Sequence, residues 1–246
     1  MLQLQESAAE PSCFIPAECP PPSPRAFSYE GLESLVAGLP LQRRRLRPKQ
    51  YVFRTGQNRH SLFLIHAGFF KTCVLSEDGR EKITGFRLRG DLLGMDALDL
   101  PSYACDAISL DVGEIWELPY VQLRDSLPEF QQRLAGVLAS EIRRDWGWML
   151  AIGTLSAEQR VIAFLLDLAT RLEGLGFSAR HLMLRMTRAD LGNFLALQLE
   201  TVTRALSHLQ VLGLIGVERR QISIRDPAGL RAMLGATRAI HARALH

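Results

Sequence analysis

The chain has 246 residues, 47% of them hydrophobic and 22% charged, with a formal net charge of +3. That length suits one large or two smaller domains with a sizeable core, and so small a charge does not by itself demand a nucleic-acid partner. No apolar run approaches the roughly 18 residues of a membrane span, and no Lys/Arg-led apolar leader opens the chain, so neither a membrane partner nor export is expected. The expected setting is the cytoplasm, where Cys13, Cys19, Cys73 and Cys105 are thiols or ligands rather than disulfides.

Residues 1–26 read as a tail, because Pro20, Pro21, Pro22 and Pro24 forbid a helix there. Residues 27–127 read as one β-rich unit. A short helical stripe at Leu32, Leu35 and Val36 precedes a basic patch from Arg43 to Lys49. From Tyr51 to Pro119, short apolar segments such as Ser61–Ala67, Phe69–Leu75 and Lys82–Leu88 alternate with glycines. Asp78-Gly79 is a hairpin signal. Short strands at such spacing predict a β-sandwich or roll.

Pro128 opens a long helix, expected over 128–155. Leu138, Ile142, Asp145, Met149 and Ile152 step alternately by four and three, the seam of a two-helix dimer interface. The same stripe also fits an amphipathic helix packed on its own domain. Asp145 on a dimer seam would set two carboxylates face to face, which suits a weak, switchable dimer.

Residues 156–246 read as helix (Ala157 to about Glu173), glycine-rich connection, helix, helix and hairpin (Leu214–Ile224). This segment holds twelve arginines, no lysine and seven acidic residues, so its positive charge points towards phosphate. Within it, Thr187 fits an N-cap, with Asp190 three residues on. Leu191 and Leu195 are expected inside, a turn near 196–199, and a second helix from about Glu200 that buries Val202, Leu206 and Leu209. The other face of that helix presents Glu200, Thr203, Arg204 and Ser207, since residues three and four apart share a face. Arg reads guanine O6 and N7, Glu accepts from cytosine N4 and Thr touches a thymine methyl. A lone Glu200–Arg204 surface pair is the plainer reading. The preceding helix and turn, with a basic hairpin behind, favour a helix placed in a major groove. Thr187 and Arg188 join the DNA-binding candidates.

The run from Met186 to Gln210 resembles the helix-turn-helix of the Crp/Fnr superfamily, nearest its FNR branch of oxygen-responsive regulators. Ile83–Leu98 resembles that branch's β-roll, and Ser140–Asp145 its dimerisation helix. The resemblance spans roughly Tyr51 to the C-terminus. It implies an α+β fold: an N-terminal β-roll (jelly-roll-like) sensory domain, a long dimerisation helix and a C-terminal winged helix-turn-helix. It further implies a cytoplasmic homodimer on a palindromic, double-stranded DNA operator with TTGAT-like half-sites. The readers would be Glu200, Thr203 and Arg204, and RNA polymerase would be met through exposed loops such as Ser76–Arg80.

Several readings of the signal stay open. The cyclic-nucleotide branch uses a phosphate-binding Arg that Gly90–Asp106 lacks, so no cyclic nucleotide is expected. The FNR branch holds a 4Fe–4S cluster on three N-terminal cysteines and one in the roll, and the chemistry needs four converging thiolates. Here Cys13 and Cys19 match the last two N-terminal positions, Glu10 falls at the first, and about Trp116 at the roll position. An unusual Cys13/Cys19/Cys73/Cys105 site, a thiol response of Cys13 and Cys19, a cluster-free member and a haem sensor using His66 or Cys73 are the alternatives. A cupin-like metalloenzyme would need clustered ligands, and the histidines are scattered. No nucleotide loop or catalytic triad order is present, so the chain is not read as an enzyme.

Overall fold

β-branched and aromatic residues alternate between turn glycines over the first half of the chain, and there they pair as strands. The computed structural model describes residues 34–36, 39–126 and 128–243. The expected tail over 1–26, with Cys13 and Cys19, lies outside the described residues.

Eight strands build the roll: β1 (Gln42–Leu46), β2 (Tyr51–Phe53), β3 (Leu62–Ala67), β4 (Phe70–Leu75), β5 (Glu81–Arg87), β6 (Leu92–Leu93), β7 (Asp106–Ser109) and β8 (Gly113–Leu118). They form two four-stranded antiparallel sheets, β1-β8-β3-β6 and β2-β7-β4-β5. The basic stretch read only as a patch contributes β1, whose arginines hide its period of two. The Asp78-Gly79 turn joins β4 to β5. Between β3 and β4 the chain turns at Gly68 (φ +95°), where an added Cβ would stand 2.7 Å from the Gly113 Cα. Only glycine meets both demands.

Phe53, Phe63, Ile65, Phe70, Tyr103 and Ile115 fill the roll between the sheets. The Phe53 and Tyr103 rings stack at 3.9 Å, and the Tyr103 hydroxyl donates to the Ser61 carbonyl at 2.7 Å. The outer face of the first sheet packs Leu62, Leu64 and Trp116 on α1 (Tyr120–Ser126) and the start of α2 (Pro128–Thr154), through Leu123, Phe130 and Leu134.

The remaining elements are α3 (Ala157–Gly174), β9 (His181–Met183), α4 (Arg188–Leu195), α5 (Leu199–Val211), β10 (Ile215–Glu218), β11 (Gln221–Ile224) and α6 (Pro227–Arg243). Ser156 starts α3 with a capping box, accepting from the Gln159 amide. The hairpin β10–β11 gains β9 as a third strand. The second half does not have a separate core. Cys73, Ile83 and Phe86 of the second sheet share one apolar cluster with Trp148, Phe164, Phe194, Leu206 and Ile222. At its centre the rings of Phe86, Trp148, Phe164 and Phe194 meet at centroid distances of 5.0–6.3 Å.

Candidate nucleic-acid interface

The helix-turn-helix begins where Thr187 adopts an extended backbone and caps α4. Its hydroxyl accepts from the Asp190 amide at 3.0 Å, and the Asp190 carboxylate accepts from the Thr187 amide at 3.0 Å. Burial opposes charge on Asp190, but the bonds from Thr187 and Lys71 outweigh it and hold the carboxyl below its ordinary range. Leu191 and Leu195 are buried, as their spacing predicts. The turn then depends on two backbone positions. Gly192 lies so close to the next segment that an added Cβ would stand 2.6 Å from the Leu197 carbonyl oxygen. Ala196 takes the left-handed conformation, φ 55°.

α5 follows with Val202, Ala205, Leu206 and Leu209 inside. Glu200, Arg204 and Ser207 are exposed and Thr203 is half-buried, so all four stand on the outward side of one helix. Among the described residues no ion pair joins Glu200 to Arg204; the Arg204 guanidinium instead lies 3.5 Å from the Thr201 hydroxyl. Arg188 of α4 donates to the Thr203 hydroxyl at 3.3 Å, bringing the two expected contact helices together. Behind them, the β10–β11 turn carries Arg219 and Arg220, both exposed, with Arg219 left-handed at φ 55°. These two complete a basic surface that the sequence signalled only as a basic hairpin.

The seam residues Leu138, Ile142, Asp145, Met149 and Ile152 share one side of α2 and border a cleft of about 520 Å³ between that helix and the roll. Thr72, Val74, Met95, Asp96 and Cys105 form part of its other wall. Ile142 and Met149 are 50% and 69% exposed, and so are large parts of Trp146 and Leu150, which the seam pattern did not include. Asp145 opens to solvent on one side, yet the desolvating cleft wall outweighs Arg87 and raises its pKa, with Glu141 adding to the rise.

Of the candidate ligand cysteines the described residues include Cys73 and Cys105, and these do not share one environment. Cys73 pairs with Asp106 in the sheet and packs outward with Ile83, whereas Cys105 packs inside the roll. The two thus belong to different apolar clusters. Burial pushes the Cys73 thiol up to about 12 and Cys105 higher still, the reverse of what a ligating thiolate requires. Trp116, at the position where the resemblance places a cluster cysteine, is buried, with His66 stacked on it at 4.6 Å and the Arg43 guanidinium 5.0 Å from its ring centre. Among the described residues no group of three or more His, Cys, Asp or Glu is placed to hold a metal ion. These residues do not fit a cluster shared by Cys73 and Cys105.

A two-sheet roll, a long helix and a capped helix-turn-helix with a basic wing define a DNA-binding transcription regulator. Residues 43–129 match the model of a cyclic nucleotide-binding domain, and residues 159–245 that of a Crp-like helix-turn-helix domain. The chain is 33% identical over 229 residues to the "Anaerobic regulatory protein" of Pasteurella multocida, covering 92% of this chain and 82% of that protein. It is 32% identical to the "Fumarate and nitrate reduction regulatory protein" of Salmonella typhimurium, covering 92% and 90%. The chain belongs to the Crp/Fnr family. Among solved structures, FixK2 of Bradyrhizobium japonicum superposes with a TM-score of 0.72 at 28% identity, covering 79% of this chain and 97% of that one. No described helix is long and apolar enough to cross a membrane.

Proposed function

We propose that two copies of this chain associate through α2 and read a palindromic operator with TTGAT-like half-sites, one α5 in each major groove. The observation that carries this reading is the outward row of Glu200, Thr203, Arg204 and Ser207 on a helix that a capped partner helix and a basic wing support. Thr187 and Arg188 stand at the start of α4, where phosphate contacts suit a helix N-terminus. The apolar side chains exposed along α2 are the surface a second copy would cover. Salt titration of operator binding tests the reading: affinity must fall steeply as salt rises, and an affinity independent of salt would refute it.

For the signal, the names of the relatives bring oxygen or redox state to this chain. The donor geometry argues that Cys73 and Cys105 are not its receptor, which leaves Cys13 and Cys19 or a cluster-free response. Anaerobic purification with iron and sulfide analysis decides: four iron atoms per chain would contradict this reading. RNA polymerase is the expected second partner, and the exposed Ser76–Arg80 turn is the surface we assign to it.

A further inference from the structure

β5 lies at the edge of its sheet, so one side of its backbone has no strand partner within the roll. The Glu81 carbonyl and the Ile83 N–H on that side both meet a single side chain of the helix-turn-helix. Asn193 Nδ2 donates to the Glu81 oxygen at 2.8 Å, and Asn193 Oδ1 accepts from the Ile83 amide at 2.7 Å. A side-chain amide offers the same donor and acceptor as a peptide unit. Asn193 therefore pairs with β5 as one residue of an added strand would.

Two lysines of the roll reinforce the contact. Lys82 Nζ donates to the main-chain carbonyls of Asn193 and Phe194 in the last turn of α4, the first of which also accepts from the Ala196 amide at 3.4 Å. Lys71 bonds Asp190, at the start of α4, at 3.1 Å and Glu81 at 2.8 Å. The roll thus holds α4 at its first turn, at its last turn and by the Asn193 amide, while the neighbouring Phe194 ring enters the cluster with Phe86 and Trp148.

We propose that Asn193 is a positioning residue for operator reading: docked on the edge of β5, its amide fixes the angle at which the roll presents α5. The proposal rests on the dimeric reading given above. Two reading helices must stand about one DNA turn, roughly 34 Å, apart. A helix-turn-helix free to swing on its connection would accept several spacings, and one held on β5 accepts one.

Full-length wild type and Asn193→Ala are titrated on three duplexes: two inverted TTGAT-like half-sites, the same with one base pair inserted between them, and a single half-site. Wild type prefers the uninserted palindrome. Asn193→Ala binds that palindrome about tenfold more weakly, binds the inserted one equally well, and matches wild type on the single half-site. A variant that keeps the wild-type spacing preference overturns the proposal. So does one that loses the single half-site as well, because that marks a folding or contact defect. Lys82→Met, which spares the amide, is expected to relax spacing in the same direction but less. If wild type binds none of the duplexes, the operator reading has failed. Amide exchange at Ile83 in the DNA-free protein then still decides the docking: protection that survives Asn193→Ala overturns it.

Discussion

Arg171 of α3 and Asp91, at the entry to β6, form an ion pair buried in the middle of the molecule. The guanidinium also donates to the Phe86 carbonyl at 2.9 Å, and the Asp91 carboxylate accepts from the Leu88 amide at 2.8 Å. Arg87 with Glu141 and Arg144 with Asp167 make two further pairs between roll, long helix and α3. Together they tie three parts of the chain, the first pair buried and the other two partly so.

Removing one partner strands the other. Arg171→Ala should cost about 3–5 kcal/mol, because it leaves Asp91 charged and buried without its ion-pair partner, with only the more distant Arg87 and the Leu88 amide to offset the charge. Urea unfolding of the full chain measures this. Burial opposes charge on Asp91, but Arg171 and Arg87 overcome it and lower its pKa. The stabilisation is therefore complete above the unfolded carboxyl value, about 3.9, and fades as pH falls through the lower folded value. Below about pH 4, wild type should lose stability while Arg171→Ala changes less.

Arg204→Ala should weaken operator binding by about 1–3 kcal/mol and relax the preference at one guanine position. Competition between operators altered at single base pairs checks this. Unchanged discrimination at every position would remove Arg204 from the reading face.

The helix-turn-helix bend should respond in opposite directions at its two special positions. Gly192→Ala forces a methyl against the Leu197 carbonyl and should destabilise the fold by about 1–3 kcal/mol. Ala196→Gly relieves a left-handed alanine, a conformation costing about 1–2 kcal/mol, less glycine's entropy in the unfolded chain, and should leave stability level or slightly raised. Thermal melts of both variants provide the comparison.

Met149→Asp should convert a dimer to a monomer in analytical ultracentrifugation, with α-helical content unchanged. On the proposed dimer, the raised pKa of Asp145 should give association a pH dependence. Facing carboxyls are neutral below that value and repel above it, so the dimer should weaken as pH rises through it. Asp145→Asn should abolish that dependence; a variant that titrates like wild type would place the effect elsewhere.

The buried thiols should be inert. With Cys73 at about 12 and Cys105 pushed higher, iodoacetamide at pH 8 should leave both unmodified in the folded protein and label both in urea. Mass spectrometry of tryptic peptides reads the result.

The helix-turn-helix was legible because its signals are local. Thr187 and Asp190 lie three residues apart, and the period of Val202, Leu206 and Leu209 selects the buried side without knowledge of any neighbour. The β4–β5 hairpin was legible for the same reason, through Asp78 and Gly79. β9 was not, since three residues carry too little pattern and its pairing with β11 joins distant positions. α1 and α6 also went unread. The docking of Asn193 on Glu81 and Ile83 spans more than a hundred positions, and nothing in the periodicity of either segment announces it. Likewise, the four cysteines suggest a ligand set when they are counted along the chain. Only the fold shows that Cys73 and Cys105 belong to different apolar clusters.

The aromatic cluster of Phe86, Trp148, Phe164 and Phe194 has a consequence for how such a regulator can diversify. A reading half transplanted onto another roll and long helix would carry two of these rings, Phe164 and Phe194, to a surface not shaped for them. New operator preferences are therefore reached more readily by exchanging outward residues of α5, none of which enters that cluster, than by recombining whole modules.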